Sequence, residues 1–402
     1  MHGKSNPRNP PLRVLMISQR LFPYIAGAEQ QALGLARALV RAGAQVRIHT
    51  TMFADGLPAR DAIDGIEVRR IAVPLARDVA TSGLAFHAAK VAQIVAMALH
   101  VARQARSADV VHAHCLSAST LGAVIGARLA GTPVLVKPSL GGEDGELRKI
   151  LVSAAARPLI SILRRVDRFA VMSDEIADEL SSIDVDADRF SRVDNGIDLD
   201  RFRPATDDER RALRTRFGIS DGPLALFVGQ YVPRKGVREL LEAWAQVRER
   251  HESATLAFAG HGSDQPHIDA AVRASGGSIV DLGARSDVVD VIRASDLLVL
   301  PSRNESFGNV IVEALACGLP VIVGRTGVAT QIDLDGVAGR FIDPESPSSI
   351  AAAVAEFLCD PARRVDAGAR GRELVRRFDF ERIAESYLEI YRDMVSSRND
   401  RH

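Results

Sequence analysis

Residues 296–323 read DLLVLPSRNESFGNVIVEALACGLPVIV. DLLVLPS (296–302) is a short apolar run that stops at a proline, the pattern of a buried strand. RNESFGN is polar and turn-forming. VIVEALACG is helical in composition and ends on Gly318, a residue suited to a left-handed cap. PVIVG (320–324) is a second strand. Strand, loop, helix and strand in this order form a βαβ unit, which joins parallel strands.

The same grammar extends outward from this unit. LALFVG (224–229), TLAFAG (255–260) and SIVDLG (278–283) precede it, each followed by a loop and a helical stretch. In the first half LRVLMIS (12–18), QVRIHTT (45–51), VVHAHC and PVLVKPS (133–139) alternate with helices, among them AEQQALGLARALVRA (28–42), which ends at Gly43. Proline and a charge cluster in DLDRFRPATDDERR (198–211) interrupt the pattern. The expected fold class is α/β, with two doubly wound, Rossmann-like parallel-sheet domains facing across a cleft. Ligands in such sheets sit at the carboxyl ends of strands, so the loops after the strands are the place to look for a site.

Composition agrees with this picture and excludes others. The 402 residues suit two or three domains, and the 47 % hydrophobic share fills full cores. An aromatic share of 5 % favours helices on sheets over an aromatic-rich sandwich. Lys+Arg and Asp+Glu balance at 51 each, which gives no reason to expect nucleic acid as a partner. Cys115, Cys317 and Cys359 are too few and too far apart for a disulfide framework or a zinc site, and fit a reducing cytosol. LRVLMIS is too short for a signal peptide core, and VAQIVAMALHVA (91–102) is read as too short and interrupted to span a bilayer, so a soluble protein is expected.

Glu305 falls in the loop after a strand and Glu313 on the helix that follows. Backbone amides near Phe307, Gly308 and Asn309 would stand at that helix's N-terminus, a ready anion site, and Gly308 allows close approach. Carboxylates for hydroxyls and amides for phosphate suit a sugar nucleotide. A solvated loop glutamate and a surface helix glutamate fit the spacing equally well. GQYVPRKG carries Lys235 beside Gly236 ahead of a helix, where a flexible ammonium reaches phosphate. Gly27 precedes the first helix as a second candidate cradle. His112 and His114 share one strand face, with His114 at the carboxyl end as a candidate hydrogen-bonding or acid–base group. A metal there lacks a third ligand. RKILVSAAARPLISILRRVDR (148–168) has six basic residues against one acidic, which fits either a face lying on anionic membrane or a domain helix with a solvated basic side.

Taken together, AGAEQQALGLARALVRAG, DVVHAH, VDRFAVMSDEIADEL, NGIDLDRFRP, FVGQYVPRKGVRELLEAW, DLLVLPSRNESFGNVIVEALACGLPVIV and FDFERIAESYLEIY resemble, in this order, the retaining GT-B glycosyltransferases of family 4. The resemblance implies a cytoplasmic hexosyltransferase that uses a UDP- or GDP-sugar, needs no metal or other cofactor, and acts on a glycan, lipid or small-molecule hydroxyl. It implies domains 1–203 and 204–378, with a helix in 379–402 crossing back to the first. Glu305 corresponds to the carboxylate on the donor sugar, Glu313 to that on the ribose, and Lys235 to the lysine on the diphosphate. The amides of Phe307, Gly308, Asn309 and Val310 match the loop cradling sugar and phosphate. Gly27 matches the loop facing the diphosphate, His114 the histidine near the reaction centre, and Arg285 the rest of the nucleobase.

Departures from the family pattern are equally specific. Gln230 stands where an arginine usually partners the lysine, which leaves Arg234 or Arg303 to compensate. Ser306 replaces a frequent glycine, Ala26 the first glycine of a pair, and Gln331 a common glutamate, while VKPSLGGEDGE (136–146) replaces the usual His-Gly segment. Two rival readings share the architecture: a sugar-nucleotide epimerase, and a non-catalytic nucleotide-sugar-binding partner.

Overall fold

The computed structural model describes residues 10–21, 27–73, 84–142, 145–153 and 155–399. The chain divides into two units, Met1–Gly196 with Phe380–His402, and Ile197–Asp379. The expected boundary at 203/204 lies a few residues inside the second unit, because Ile197 already donates its N–H to the Phe378 carbonyl (2.8 Å) and bridges to Asp379.

The first unit runs β1 (Arg13–Ile17), α1 (Gly27–Arg41), β2 (Gln45–Thr51), β3 (Arg60–Ile63), β4 (Ile66–Ile71), α2 (Leu84–Gln104), β5 (Val110–His114), α3 (Ala118–Ala130), β6 (Val134–Lys137), α4 (Glu146–Leu151), α5 (Ala156–Leu163), β7 (Arg168–Val171), α6 (Asp174–Ser181) and β8 (Phe190–Arg192). Its sheet has the order β3-β4-β2-β1-β5-β6-β7-β8. The central strands RVLMI and VVHAH are almost wholly buried, as parallel strands covered on both faces must be.

All pairs in this sheet are parallel except β3 with β4. The sheet is parallel as expected, with an edge hairpin added to it. Its turn residues Asp64 and Gly65 both have positive φ (51° and 79°), as a two-residue hairpin of this hand requires. The expectation for 91–102 is corrected. α2 is 21 residues long, and Ala85–Ser107 is long and apolar enough to cross a membrane by length and composition alone.

The second unit runs α7 (Asp207–Phe217), β9 (Leu224–Gln230), α8 (Val237–Arg248), β10 (Thr255–His261), α9 (Gln265–Ala274), β11 (Ile279–Asp281), α10 (Val288–Ala294), β12 (Leu297–Leu300), α11 (Asn309–Ala316), β13 (Val321–Gly324), β14 (Gly339–Ile342), α12 (Pro347–Leu358) and α13 (Pro361–Leu374). All its pairs are parallel, in the order β11-β10-β9-β12-β13-β14. The chain winds from β9 outward through β10 to β11, then returns to the other side of β9 as β12. This reversal is the topological switch point, the place at which doubly wound sheets bind ligands. In the first unit β1 and β5 make the corresponding switch.

α14 (Phe380–Asn399) belongs to the first unit and packs on α1. Tyr387 and Tyr391 on this helix are fully buried in the core formed with β1, β2 and α1. The ring of Phe380 enters a slot between two glycines: a Cβ on Gly34 or Gly196 would come within 2.2 Å or 2.1 Å of it. The Gln31 side chain closes this corner by donating to the Gly196 carbonyl (2.8 Å) and accepting from its N–H (2.9 Å).

Candidate functional site

The two loops at the switch point of the second unit are tied together. After β9 the chain makes a tight turn over Pro233–Lys235 and leaves it through Gly236 at φ 70°, ψ 30°. A Cβ on Gly236 would lie 2.2 Å from the Pro301 carbonyl oxygen, so this turn can press against the end of β12 only with glycine there. Arg303 donates its N–H to the Arg234 carbonyl (2.8 Å), and the Arg234 guanidinium donates to the Asn304 carbonyl (3.1 Å). This cross-linking brings the Lys235 ammonium onto the Glu305 carboxylate as a buried ion pair between residues 70 positions apart. Burial holds the lysine below its usual pKa, against the opposing pull of Glu305.

The Glu305 loop is braced from its other side. Its N–H donates to the Thr326 hydroxyl (2.9 Å), and the Phe307 carbonyl accepts from Val328 (2.7 Å). Phe307 packs edge-on against Phe378, with ring centroids 5.6 Å apart, and Ser306 is buried. Gly308 then turns the chain into α11 with φ 87° and ψ 58°, and a Cβ there would lie 3.7 Å from Glu305 Cγ. The first turn of α11, beginning with Asn309 and Val310, therefore starts beside Glu305. One spot thus combines an ammonium, a carboxylate and a helix N-terminus, whose amides and dipole favour an anion.

Glu313 lies one turn further along α11 and is half-buried. Burial pushes its carboxyl up to about 7, against Arg201, which lowers it. Among the described residues no group donates a hydrogen bond to this half-buried carboxylate, so its oxygens can accept from a ligand. Gln230, at the end of β9, is exposed. Of the two cations considered as substitutes for an arginine there, Arg303 is engaged by Glu239, Glu345 and the Pro233 carbonyl. Arg285 forks onto Asp287 (2.7 and 2.8 Å) and lies 4.8 Å over the Phe217 ring, so its guanidinium is occupied.

Gly27 begins α1 and is exposed, while Ala26 and the four residues before it lie outside the described residues. His114 ends β5 at the switch point of the first unit, but it is buried. Its ring stacks on His112 with centroids 4.2 Å apart, and its Nε2 has no hydrogen-bond partner among the described residues. Burial and the nearby Lys137 ammonium lower it to about 3, so it is a neutral imidazole at ordinary pH. His112 Nδ1 shares a hydrogen bond with the Tyr391 hydroxyl (2.6 Å).

Several residues of this region are not evident from sequence. Lys137, in register with His114 on β6, is buried against Asn195 (Nζ to Oδ1, 2.6 Å), and burial lowers it to about 8. Glu146 accepts from the Leu116 N–H (2.8 Å), the Ser139 N–H (3.0 Å) and the Ser139 hydroxyl (2.5 Å), which joins the loops after β5 and β6. The one signal for it was an acidic residue inside VKPSLGGEDGE. A cavity of about 290 Å³ lined by Arg128, Arg168 and Arg398 lies instead at the amino ends of β6 and β7.

Two family models match the chain. "Glycosyl transferase 4-like domain" matches residues 26–196, and "Glycosyl transferases group 1" matches residues 209–374. A D-inositol 3-phosphate glycosyltransferase of Kineococcus radiotolerans is 30 % identical over 410 residues, 92 % of this chain and 91 % of the relative. D-inositol 3-phosphate glycosyltransferase 2 of Catenulispora acidiphila is 29 % identical, over 95 % of each chain. A GDP-mannose-dependent alpha-(1-6)-phosphatidylinositol monomannoside mannosyltransferase of Mycolicibacterium smegmatis is 34 % identical over 195 residues, covering 44 % of this chain and 49 % of the relative. Among solved structures, Anabaena Alr3699/HepE in complex with UDP-glucose superposes with TM-score 0.76 at 19 % identity, covering 95 % of this chain and all of that one.

Proposed function

The chain belongs to the glycosyl transferase group 1 family of GT-B fold, a glycosyltransferase using a nucleotide-sugar donor, and from that premise we infer how its own residues carry the transfer. The observation that carries the reading is the Lys235–Glu305 pair at the switch point of the second unit, beside the N-terminus of α11. In the resting protein the two charges satisfy each other. When a UDP- or GDP-sugar enters, its diphosphate takes the ammonium and the helix amides. The freed Glu305 carboxylate accepts from the sugar hydroxyls, and Glu313 accepts from the ribose hydroxyls. Arg234, beside the Asn304 carbonyl and close enough to lower Lys235, supplies the second cation that Gln230 lacks.

Transfer proceeds with retention through an oxocarbenium-like state. The bond from the anomeric carbon to the diphosphate oxygen breaks, and Lys235 with the α11 amides stabilises the leaving charge in a preorganised setting. The departing diphosphate takes the proton of the acceptor hydroxyl as the new glycosidic bond forms on the same face. The acceptor is a cell-envelope glycan, an exopolysaccharide or a lipid-linked hydroxyl. The relative that mannosylates a phosphatidylinositol monomannoside supports the lipid-linked case. In that case the protein works on the cytoplasmic side, at the inner face of the membrane.

A thermal-shift panel of UDP-, GDP- and ADP-sugars tests the donor. A ligand at 100 times its Kd stabilises by about 2.7 kcal/mol. A clear rise in Tm with one nucleotide sugar, reduced in Glu313→Gln, is the expected result. No shift with any of them overturns the donor reading.

A further inference from the structure

α2, α3 and α5 form one helical layer over the first sheet, with α3 touching both of its neighbours. α2 lies so close to α3 that a Cβ on Gly122 or Gly126 would come within 2.5 Å of the Ile94 or Ala98 carbonyl oxygen. Met97 and Val101 are buried in this contact, and the Gln93 amide donates to the Ser119 hydroxyl (3.0 Å). The opposite side of α2 is left uncovered. Val91 (59 % exposed), Val95 (50 %) and Leu99 (53 %) recur along it at four-residue spacing. Leu129 on α3 is exposed as well (68 %). Scattered exposed apolar residues are ordinary, but a contiguous stripe on one helical layer marks an interaction surface.

The charge of the layer says what covers it. Residues 84–107, 118–130 and 146–166 hold nine basic residues against one acidic, in a chain balanced at 51 of each. The one acid, Glu146, is turned onto Leu116 and Ser139. Arg128 is paired with Asp167, Arg164 with Asp184, and Arg148 lies near Glu179, which leaves Lys90, Arg103, Arg106, Lys149, Arg157 and Arg165 as the layer's excess charge. The segment 148–168 is not one amphipathic helix. It breaks into α4 and α5, and Ile150, Leu163 and Val166 face the core.

We propose that the α2–α3–α5 layer docks on an anionic lipid bilayer, with the Val91–Val95–Leu99 stripe entering the headgroup boundary and the surrounding cations meeting lipid charge. A second copy of the chain fits this face poorly, because like charges would be juxtaposed. The proposal deepens the lipid-linked reading above, although docking itself needs neither donor nor acceptor.

The test is co-sedimentation of the whole protein, without substrates, with vesicles of phosphatidylcholine alone or with one-third phosphatidylglycerol. Binding is expected to the anionic vesicles at low salt and not to the neutral ones. Lys90→Glu and Arg103→Glu should each weaken partitioning about fivefold or more. Val95→Asp with Leu99→Asp should abolish it while leaving Tm and the nucleotide-sugar thermal shift unchanged. No binding to anionic vesicles, binding indifferent to these substitutions, or a solution dimer dissolved by Val95→Asp would each overturn the proposal. A failed vesicle assay beside an intact donor shift rejects the docking surface and leaves the transferase reading standing.

Discussion

Removing one partner of the Lys235–Glu305 pair tests whether the two loops at the switch point are held by charge. The side chains are 11 % and 9 % exposed, so neither ion is well hydrated in the folded protein. Lys235→Met leaves the carboxylate buried and unpaired, at a cost of about 3–5 kcal/mol. A unit of this size loses roughly 2–4 °C of Tm per kcal/mol, so a fall of about 6–20 °C is expected. Glu305→Gln leaves the ammonium an oxygen to bind and should fall less. The double variant buries no charge and should recover most of the loss. Urea unfolding of all four proteins closes a double-mutant cycle with a coupling of about 1–3 kcal/mol. Strictly additive losses, with coupling below about 0.5 kcal/mol, would refute the view that the pair organises the resting site.

Four further outcomes follow from the same geometry. Glu313 is raised to about 7 from a usual value near 4.5, so the folded state binds more protons than the unfolded one between these values. Stability is then full below pH 4.5 and falls as pH rises to 7, and Glu313→Gln should remove this slope and gain about 2 kcal/mol at pH 8 while weakening donor binding. Because ribose hydroxyls favour the ionised carboxylate, donor affinity measured by calorimetry should rise from pH 5.5 to 7.5 in the native protein and stay flat in Glu313→Gln. Gly236→Ala combines positive φ with a 2.2 Å approach to the Pro301 oxygen, and should cost more than about 2 kcal/mol of stability by denaturant unfolding. Gln230→Arg adds a phosphate-binding charge at the end of β9, and in Arg234→Ala it should restore lost donor affinity; no restoration removes Arg234 from the diphosphate site.

What sequence could reveal here depended on burial. The β9–β14 sheet was legible because strands covered on both faces are continuous apolar runs, and LLVL and VIVG read as nothing else. β7, β8 and β14 are short, and β14 carries an arginine that breaks the apolar pattern. The hairpin was missed although Asp64-Gly65 is a strong turn signal, because the β-strand pattern on either side is half polar. For the site, the loop positions of Glu305, Lys235 and Gly308 followed from strand ends. Their convergence did not, since it depends on β12 pairing with β9 after the chain has wound through β10 and β11. The burial of His114 was equally hidden, because the His112 ring stacked on it is packed by tyrosines from a helix more than 270 residues later.

The most direct test of the account is turnover of the identified nucleotide sugar, with and without a hydroxyl acceptor, by the native protein and by Glu305→Gln, with products resolved by NMR. The expected product is an acceptor-dependent glycoside whose anomeric configuration matches the donor, with a loss of about 100-fold or more in the variant while its circular dichroism is unchanged. Conversion of the donor without any acceptor, or near-normal turnover in Glu305→Gln, would contradict it.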